Sequence, residues 1–170
     1  CFALARELRR RSLPMPQLLM LSAQNTPRQR PSTLRHQLND AEFTEVLRAC
    51  DGTPDLVLQS PELLQLLLPR IRADGAIYET YDYRRLPPLT CRIAVFFGLQ
   101  DSMASGAGAR GWESETRASF HCYDGLPGGH FFLHEAEQQL AGHVTDELAR
   151  LLPAQASKRK GHTDDNLAFR

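Results

Sequence analysis

The sequence lacks an excess charge of either sign, a long apolar run and any close pairing of its cysteines. Its 20 lysines and arginines are balanced by 20 aspartates and glutamates. A zero formal charge gives no electrostatic argument for nucleic acid or an anionic membrane as partner. Apolar stretches such as Leu63–Leu68 and Ile93–Leu99 are far too short to span a bilayer. The opening Cys1–Leu8 is amphipathic, not a charged segment followed by an apolar one, so it does not read as a signal peptide. Cys1, Cys50, Cys91 and Cys122 are scattered. That spacing suggests neither a disulfide framework nor a CxxC metal site. It fits reduced, mostly buried thiols in a cytoplasmic protein.

What is present is an alternation of helical and strand-like segments. Cys1–Arg11 has apolar residues at Phe2, Leu4, Ala5 and Leu8 and ends in an arginine run suited to the C-terminal end of a helix dipole. No N-cap and no methionine precede it, so the reading is of a helix entered part-way, as in a fragment. Gln17–Ser22 is a short apolar run, predicted as a buried strand. Leu34, Leu38, Phe43, Val46 and Leu47 fall near helical spacing, and a second helical piece follows Asp51-Gly52-Thr53-Pro54. Ser60-Pro61-Glu62 opens a third, with Ser as N-cap and Pro in the first turn. Its leucines, Leu63 to Leu68, call for a partner or ligand to cover them.

Ala76–Arg85 is predicted as a further helix, halted by Pro87-Pro88. Arg92–Phe97 is the clearest strand. A helix is expected around Trp112–Arg117, a strand over Ser119–Tyr123, a Gly/Pro-rich loop over Asp124–Gly129, and an amphipathic helix over Glu135–Leu152 with Leu140, Val144, Leu148, Leu151 and Leu152 on one face. Residues 153–170 are polar and expected to be a disordered tail. This order predicts an α/β layer with a parallel sheet. A three-stranded parallel sheet with an open edge is a poor independent domain. Further strands are therefore expected upstream, and the isolated chain is expected to be poorly soluble.

Asp101 lies just beyond the strand Arg92–Phe97, and His130 just beyond the last strand. Both positions are at the carboxyl ends of parallel strands, where α/β sheets build their sites. An acid after one strand and a histidine after the next is the second half of the order Ser…Asp…His. A histidine in that role takes a proton from the nucleophile, and the acid holds its tautomer. Taken singly, each is better read as a turn residue or a satisfied loop histidine. The pair carries more, because Pro127-Gly128-Gly129 frees the histidine loop to adopt unusual backbone angles.

Leu126-Pro127-Gly128-Gly129-His130-Phe131-Phe132-Leu133 closely resembles the PGGHFFL segment of type II thioesterases, the editing enzymes of nonribosomal peptide and polyketide synthesis. Cys50–Pro54, Pro61–Leu64, Leu68–Asp74, Glu79-Thr80-Tyr81, Pro87-Pro88-Leu89, Phe97-Gly98 with Asp101, and Trp112 resemble the same family in the same order. The resemblance runs from Cys1 to about Leu152. It implies a partial α/β-hydrolase fold over 1–152, a parallel sheet flanked by helices with its N-terminal strands missing. It also implies an all-helical lid insertion at about 31–75. Asp101 would be the triad acid and His130 the general base. The activity implied is hydrolysis of acyl groups from the phosphopantetheine arm of an acyl or peptidyl carrier protein. The implied protein is a cytoplasmic monomer when complete, without metal or diffusible cofactor.

One departure bears on the chemistry. The family places a Gly-His-Ser-x-Gly elbow before the helix that Cys1–Arg11 resembles, and no serine here has glycine two positions before and two after it. The oxyanion-hole amides would also lie upstream. The chain as it stands is therefore expected to be inactive, with no nucleophile of its own. Two other functions fit the same residues: a carrier-binding remnant without catalysis, and a general esterase or lipase of the same fold.

Other motifs have blander readings. Gly106-Ala107-Gly108-Ala109-Arg110-Gly111 matches G-x-G-x-x-G, but eight residues separate it from the strand, and a flexible loop is expected instead of a dinucleotide site. His130 and His134, with His121 and Cys122 nearby, lack the glutamate of a zincin motif. His134 and His143 are expected as solvated helix positions. Arg9-Arg10-Arg11 and Lys158-Arg159-Lys160 read as surface and tail, since interleaved aromatics are missing.

Overall fold

A computed structural model describes residues 1–29 and 33–152. Its frame is a three-stranded parallel sheet in the order β1-β2-β3, formed by β1 (Leu18–Ser22), β2 (Arg92–Gly98) and β3 (Phe120–Leu126). Leu19 pairs with Ile93 and Leu21 with Val95, while Val95 pairs with Cys122. β2 reads as a continuous apolar run because both its faces are covered. Ile93, Val95 and Phe97 face a core of Phe2, Leu19, Leu21 and Trp112. Ala94 and Phe96 face the other way, toward Leu126, Phe132 and Ala136. The two-residue period of the strand thus feeds two cores from one sequence.

The first core is capped by α1 (Phe2–Arg10), whose Phe2 meets Trp112 edge to face at 5.1 Å between centroids. The second lies under α6 (Glu137–Ala149), where Leu140 and Val144 pack inward. Leu148 and Leu152, expected on that buried face, are exposed. The position that turns inward instead is Glu147, 1% exposed. His121 Nδ1 lies 2.5 Å from its carboxylate, Tyr123 donates to it at 2.7 Å, and Arg150 donates at 2.7 Å. Burial alone would raise the Glu147 carboxyl, but the Tyr123 and His121 bonds outweigh it and hold it below the usual glutamate value. This cluster fastens α6 to the edge strand β3.

Between β1 and β2 the described residues are mostly helical. A single 3₁₀ turn, Arg35–Gln37, leads into α2 (Asp40–Cys50), then α3 (Asp55–Leu58) and α4 (Pro61–Glu79). Asn39 and Glu42 close a reciprocal capping box at the start of α2, and Ser60 accepts from the Leu63 N–H to start α4. Arg72 joins the 3₁₀ turn to α4: it donates to the His36 carbonyl at 2.9 Å, pairs with Asp40 at 2.7 Å, and lies 4.4 Å over the Phe43 ring. His36 Nδ1 sits 2.5 Å from Glu79.

Several sequence expectations are corrected, among them the loop expected over Asp124–Gly129, whose first three residues belong to β3. The helix expected over Ala76–Arg85 forms only in its first four residues, as the end of α4. α4 continues to Glu79, and residues 81–88 contain no helix. The carbonyls there find partners outside a helix: Arg6 bonds to that of Arg84, and Arg9 to those of Pro87 and Pro88. The glycine-rich segment is no flexible loop but a short helix, α5 (Gly106–Arg110), capped by Ser105. A 3₁₀ turn, Gly111–Glu115, follows where Trp112–Arg117 was expected as a helix. Gly108 and Gly111 serve close packing, since a Cβ on them would fall 1.8 Å from Asn25 Oδ1 and 2.5 Å from Thr26 Cγ2. His134 lies in a turn before α6, and His143 is half-buried, its ring 4.3 Å from that of Tyr123. The expected tail, 153–170, and the start of the expected lid, 31–32, lie outside the described residues.

Candidate functional site

β2 ends at Gly98, and the turn that follows brings the Asp101 N–H to the Gly98 carbonyl at 3.1 Å. The Asp101 carboxylate then folds back on its own loop, with Oδ1 accepting from the N–H of Met103 at 2.7 Å and of Ala104 at 2.9 Å. The loop after β3 is clamped to this one. The Gln100 N–H donates to the Gly128 carbonyl at 3.0 Å, and the Gly128 N–H returns a bond to Gln100 Oε1 at 2.8 Å. Gly98 is glycine for a steric reason: a Cβ there would lie 2.3 Å from the Gly128 oxygen and 2.4 Å from that of Gly129. Gly128 has φ of +104°, a conformation side chains resist.

The clamp delivers His130 onto Asp101. Nδ1 of His130 lies 3.2 Å from both carboxylate oxygens. The Asp101 side chain is fully buried and that of His130 is one-fifth exposed, at 20%. Burial pushes the Asp101 carboxyl up. The His130 bond and the amides of Ala104 and Met103 pull it down further, so it stays ionised below the usual aspartate value. An ionised carboxylate only accepts, so Nδ1 is the nitrogen that donates to Asp101 and Nε2 is left for another partner. Among the described residues no hydroxyl or thiol bonds to Nε2. The Phe131 ring meets that of His130 edge to face at 5.3 Å and packs against the α-carbon of Gly52 in the loop after α2.

His130 and Phe131 line a cavity of about 470 Å³ whose opposite walls come from α2 and α4, including Phe43, Cys50, Ile71 and Tyr78. Arg35 reaches it from the 3₁₀ turn. Another cavity, about 520 Å³, opens beside α1 and β1, lined by Phe2, Met20 and Trp112; neither Asp101 nor His130 reaches it. Among the described residues no group of three His, Cys, Asp or Glu side chains could hold a metal ion. His121, once a candidate ligand by proximity in sequence, is engaged by Glu147.

Sequence reasoning named Asp101 and His130, and the fold brings them together. It missed the Gln100 clamp, the Gly52–Phe131 contact, Arg35 and the Glu147 cluster. A polar residue at an apolar position of α6 was the one signal for Glu147. The others depend on loops distant in sequence.

Residues 1–148 match the model of the thioesterase domain. The gramicidin S biosynthesis protein GrsT of Aneurinibacillus migulanus is 34% identical over 154 residues, 89% of this chain and 59% of that protein. Thioesterase PikA5 of Streptomyces venezuelae is 34% identical over 147 residues, 86% of this chain and 52% of that protein. Among solved structures, the RedJ thioesterase from the prodiginine biosynthetic pathway of Streptomyces coelicolor superposes with a TM-score of 0.80 at 32% identity, covering 86% of this chain and 58% of that one. The chain therefore spans less than two thirds of the length of these relatives. Its parallel sheet with helices on both faces is part of an α/β-hydrolase fold. By the extent of these matches, the chain belongs to the thioesterase domain family.

Proposed function

We propose that this chain supplies the acid–base half and the lid of an editing thioesterase that clears acyl groups from carrier proteins in nonribosomal peptide or polyketide synthesis. The observation that carries this reading is the buried Asp101–His130 pair opening on a cavity walled by α2 and α4. The relatives named for gramicidin S biosynthesis and as a thioesterase support the substrate class.

In the proposed reaction a serine outside this chain attacks the thioester carbonyl of an acyl-phosphopantetheine arm. His130 Nε2 takes the serine proton and passes it to the departing thiolate, leaving an acyl-serine. Water then attacks that ester, His130 takes its proton, and serine and the free acid are released. Asp101 holds the Nδ1 proton throughout and stabilises the imidazolium. The acid–base and covalent steps so drawn require no metal or diffusible cofactor. The helical insertion at about 31–75 acts as the lid over the acyl chamber, and the acyl or peptidyl load arrives on a carrier domain.

The test is release of acetate from an acetylated carrier protein by the complete protein and its variants. His130→Ala is expected to lower kcat about a thousandfold or more, and Asp101→Asn comparably through the wrong tautomer. Unchanged hydrolysis in both variants would overturn the assignment. Carrier binding without turnover in the unaltered complete protein would instead support a non-catalytic carrier binder.

A further inference from the structure

β1 ends at Ser22, and Ala23 then takes a left-handed conformation, φ of 52°, that is uncommon for a residue with a side chain. Its N–H stays on the sheet, donating to the Phe96 carbonyl at 2.9 Å. The turn sends Asn25 to the loop that bears Asp101. There the Asn25 carboxamide makes two bonds. Nδ2 donates to the Met103 carbonyl at 3.1 Å, and Oδ1 accepts from the Ser105 N–H at 2.9 Å. The Thr26 N–H beside it donates to the Gly108 carbonyl at 3.0 Å. Gly108 shows independently that the seat is tight. A Cβ there would fall 1.8 Å from Asn25 Oδ1, so α5 carries a glycine where the carboxamide sits.

Asp101 uses the same stretch of backbone. Its Oδ1 accepts from the N–H groups of Met103 and Ala104. Four backbone groups of residues 103–105 are thus held by two side chains, the acid and Asn25. A carboxylate bonded to its own loop moves when that loop moves. The His130 contact tolerates little movement. Nδ1 lies 3.2 Å from each Asp101 oxygen, at the long end of N–H···O bonds, and by about 3.6 Å such a bond is lost. The Gln100 bonds hold the histidine loop, while Asn25 holds the far end of the acid's loop. A carboxamide suits that place because it donates to one backbone group and accepts from another. Aspartate has the same shape but only accepts, and leucine does neither.

We propose that Asn25 is a positioning residue for the acid: its carboxamide fixes the Met103–Ser105 backbone and thereby sets the Asp101–His130 contact. This rests on Asp101 and His130 being the acid–base pair of the reaction proposed above. Asn25 also lines the cavity that His130 reaches, so direct contact with substrate is the rival role, and kinetics separates the two.

The test compares the complete protein with three variants, by hydrolysis of an acetylated carrier protein and by the NMR resonance of the His130 Nδ1 proton. The Asp101 bond shields that proton from exchange with water. Asn25→Leu is expected to lower kcat about a hundredfold with KM unchanged, the pattern of lost geometry and not of lost binding. The Nδ1 resonance is expected to vanish while the amide spectrum stays that of a folded protein. Asn25→Asp keeps the shape and the Ser105 bond but loses the donor. It is expected to lower kcat about tenfold and to broaden the resonance, and it decides the matter where Asn25→Leu does not fold. Thr26→Val is a swap of similar size at a buried neighbour whose hydroxyl has no partner among the described residues, and is expected to change neither readout. Unchanged kcat and resonance in the Asn25 variants, or a raised KM at unaltered kcat, would overturn the inference. Loss of the resonance in Asn25 variants of a complete protein that hydrolyses no carrier thioester would uphold the positioning role and refute the proposed reaction. Hydrolysis indifferent to both Asn25 variants would do the reverse.

Discussion

At Asp101, burial and hydrogen bonding oppose each other, and the bonds prevail. The carboxyl is therefore held below its ordinary value of 3.8 in the folded chain. A group depressed in this way stabilises the fold above its unfolded pKa, and the contribution fades as pH falls through the folded value. Asp101→Asn is expected to cost about 2 kcal/mol near pH 7, with the gap from the unaltered chain closing in acid, well below the ordinary value of 3.8. Urea denaturation at the two pH values checks this; a gap that persists in acid would mean the loss is steric. Gly98 gives a second expectation at this scale. A methyl there meets two carbonyl oxygens of the histidine loop, backbone atoms that cannot swing away. Gly98→Ala is expected to cost about 2 kcal/mol and to shift the His130 imidazole resonances, because the loop must back off from Asp101. An unmoved histidine spectrum would show that the loop is held elsewhere.

At the scale of elements, α6 and β3 depend on one buried carboxylate. Glu147 is reached by His121 and Tyr123 from the strand and by Arg150 from its own helix. Glu147→Ala leaves the Tyr123 hydroxyl without its acceptor and is expected to lower stability by about 2 kcal/mol. The same change is expected to speed amide exchange in β3 before it does so in β2, since β2 keeps both neighbours. Uniform acceleration across the sheet would contradict a local fastening role. The lid elements follow a related logic. α4 buries only Leu68 among its leucines and leaves Leu66 and Ile77 well exposed. Side-chain ties through Arg72 and Glu79, more than an apolar seam, hold it to the 3₁₀ turn.

At the scale of the molecule, the sheet is lopsided. β2 is covered on both faces and both edges, while β1 pairs with β2 alone among the described residues. Beside β1 lies the second cavity, with Phe2, Met20 and Trp112 on its walls. An unpaired parallel strand next to an apolar hollow is a template for another chain. The isolated 170-residue chain is expected to self-associate with increasing concentration, and sedimentation velocity across a dilution series checks this. A sharp monomer at every concentration would show that the edge is guarded.

The sequence by itself determined where the three strands lie, the Ser60 cap and the two residues of the pair. Those features follow from short-range physics: short continuous apolar runs in β1 and β2, Ser60-Pro61 at a helix start, and a glycine-rich turn before His130. It also carried the family, through the Pro127–Leu133 segment. Tertiary structure decided what lies in 81–88, where arginines of α1 take the carbonyls a helix would have used. It made a helix of Gly106–Arg110, because Asn25 and Thr26 need the space that glycine leaves. It turned Glu147 inward and set Arg35 into the chamber without a carboxylate partner among the described residues. Each of these depends on atoms far away in the chain, and no local pattern encodes the distance between them.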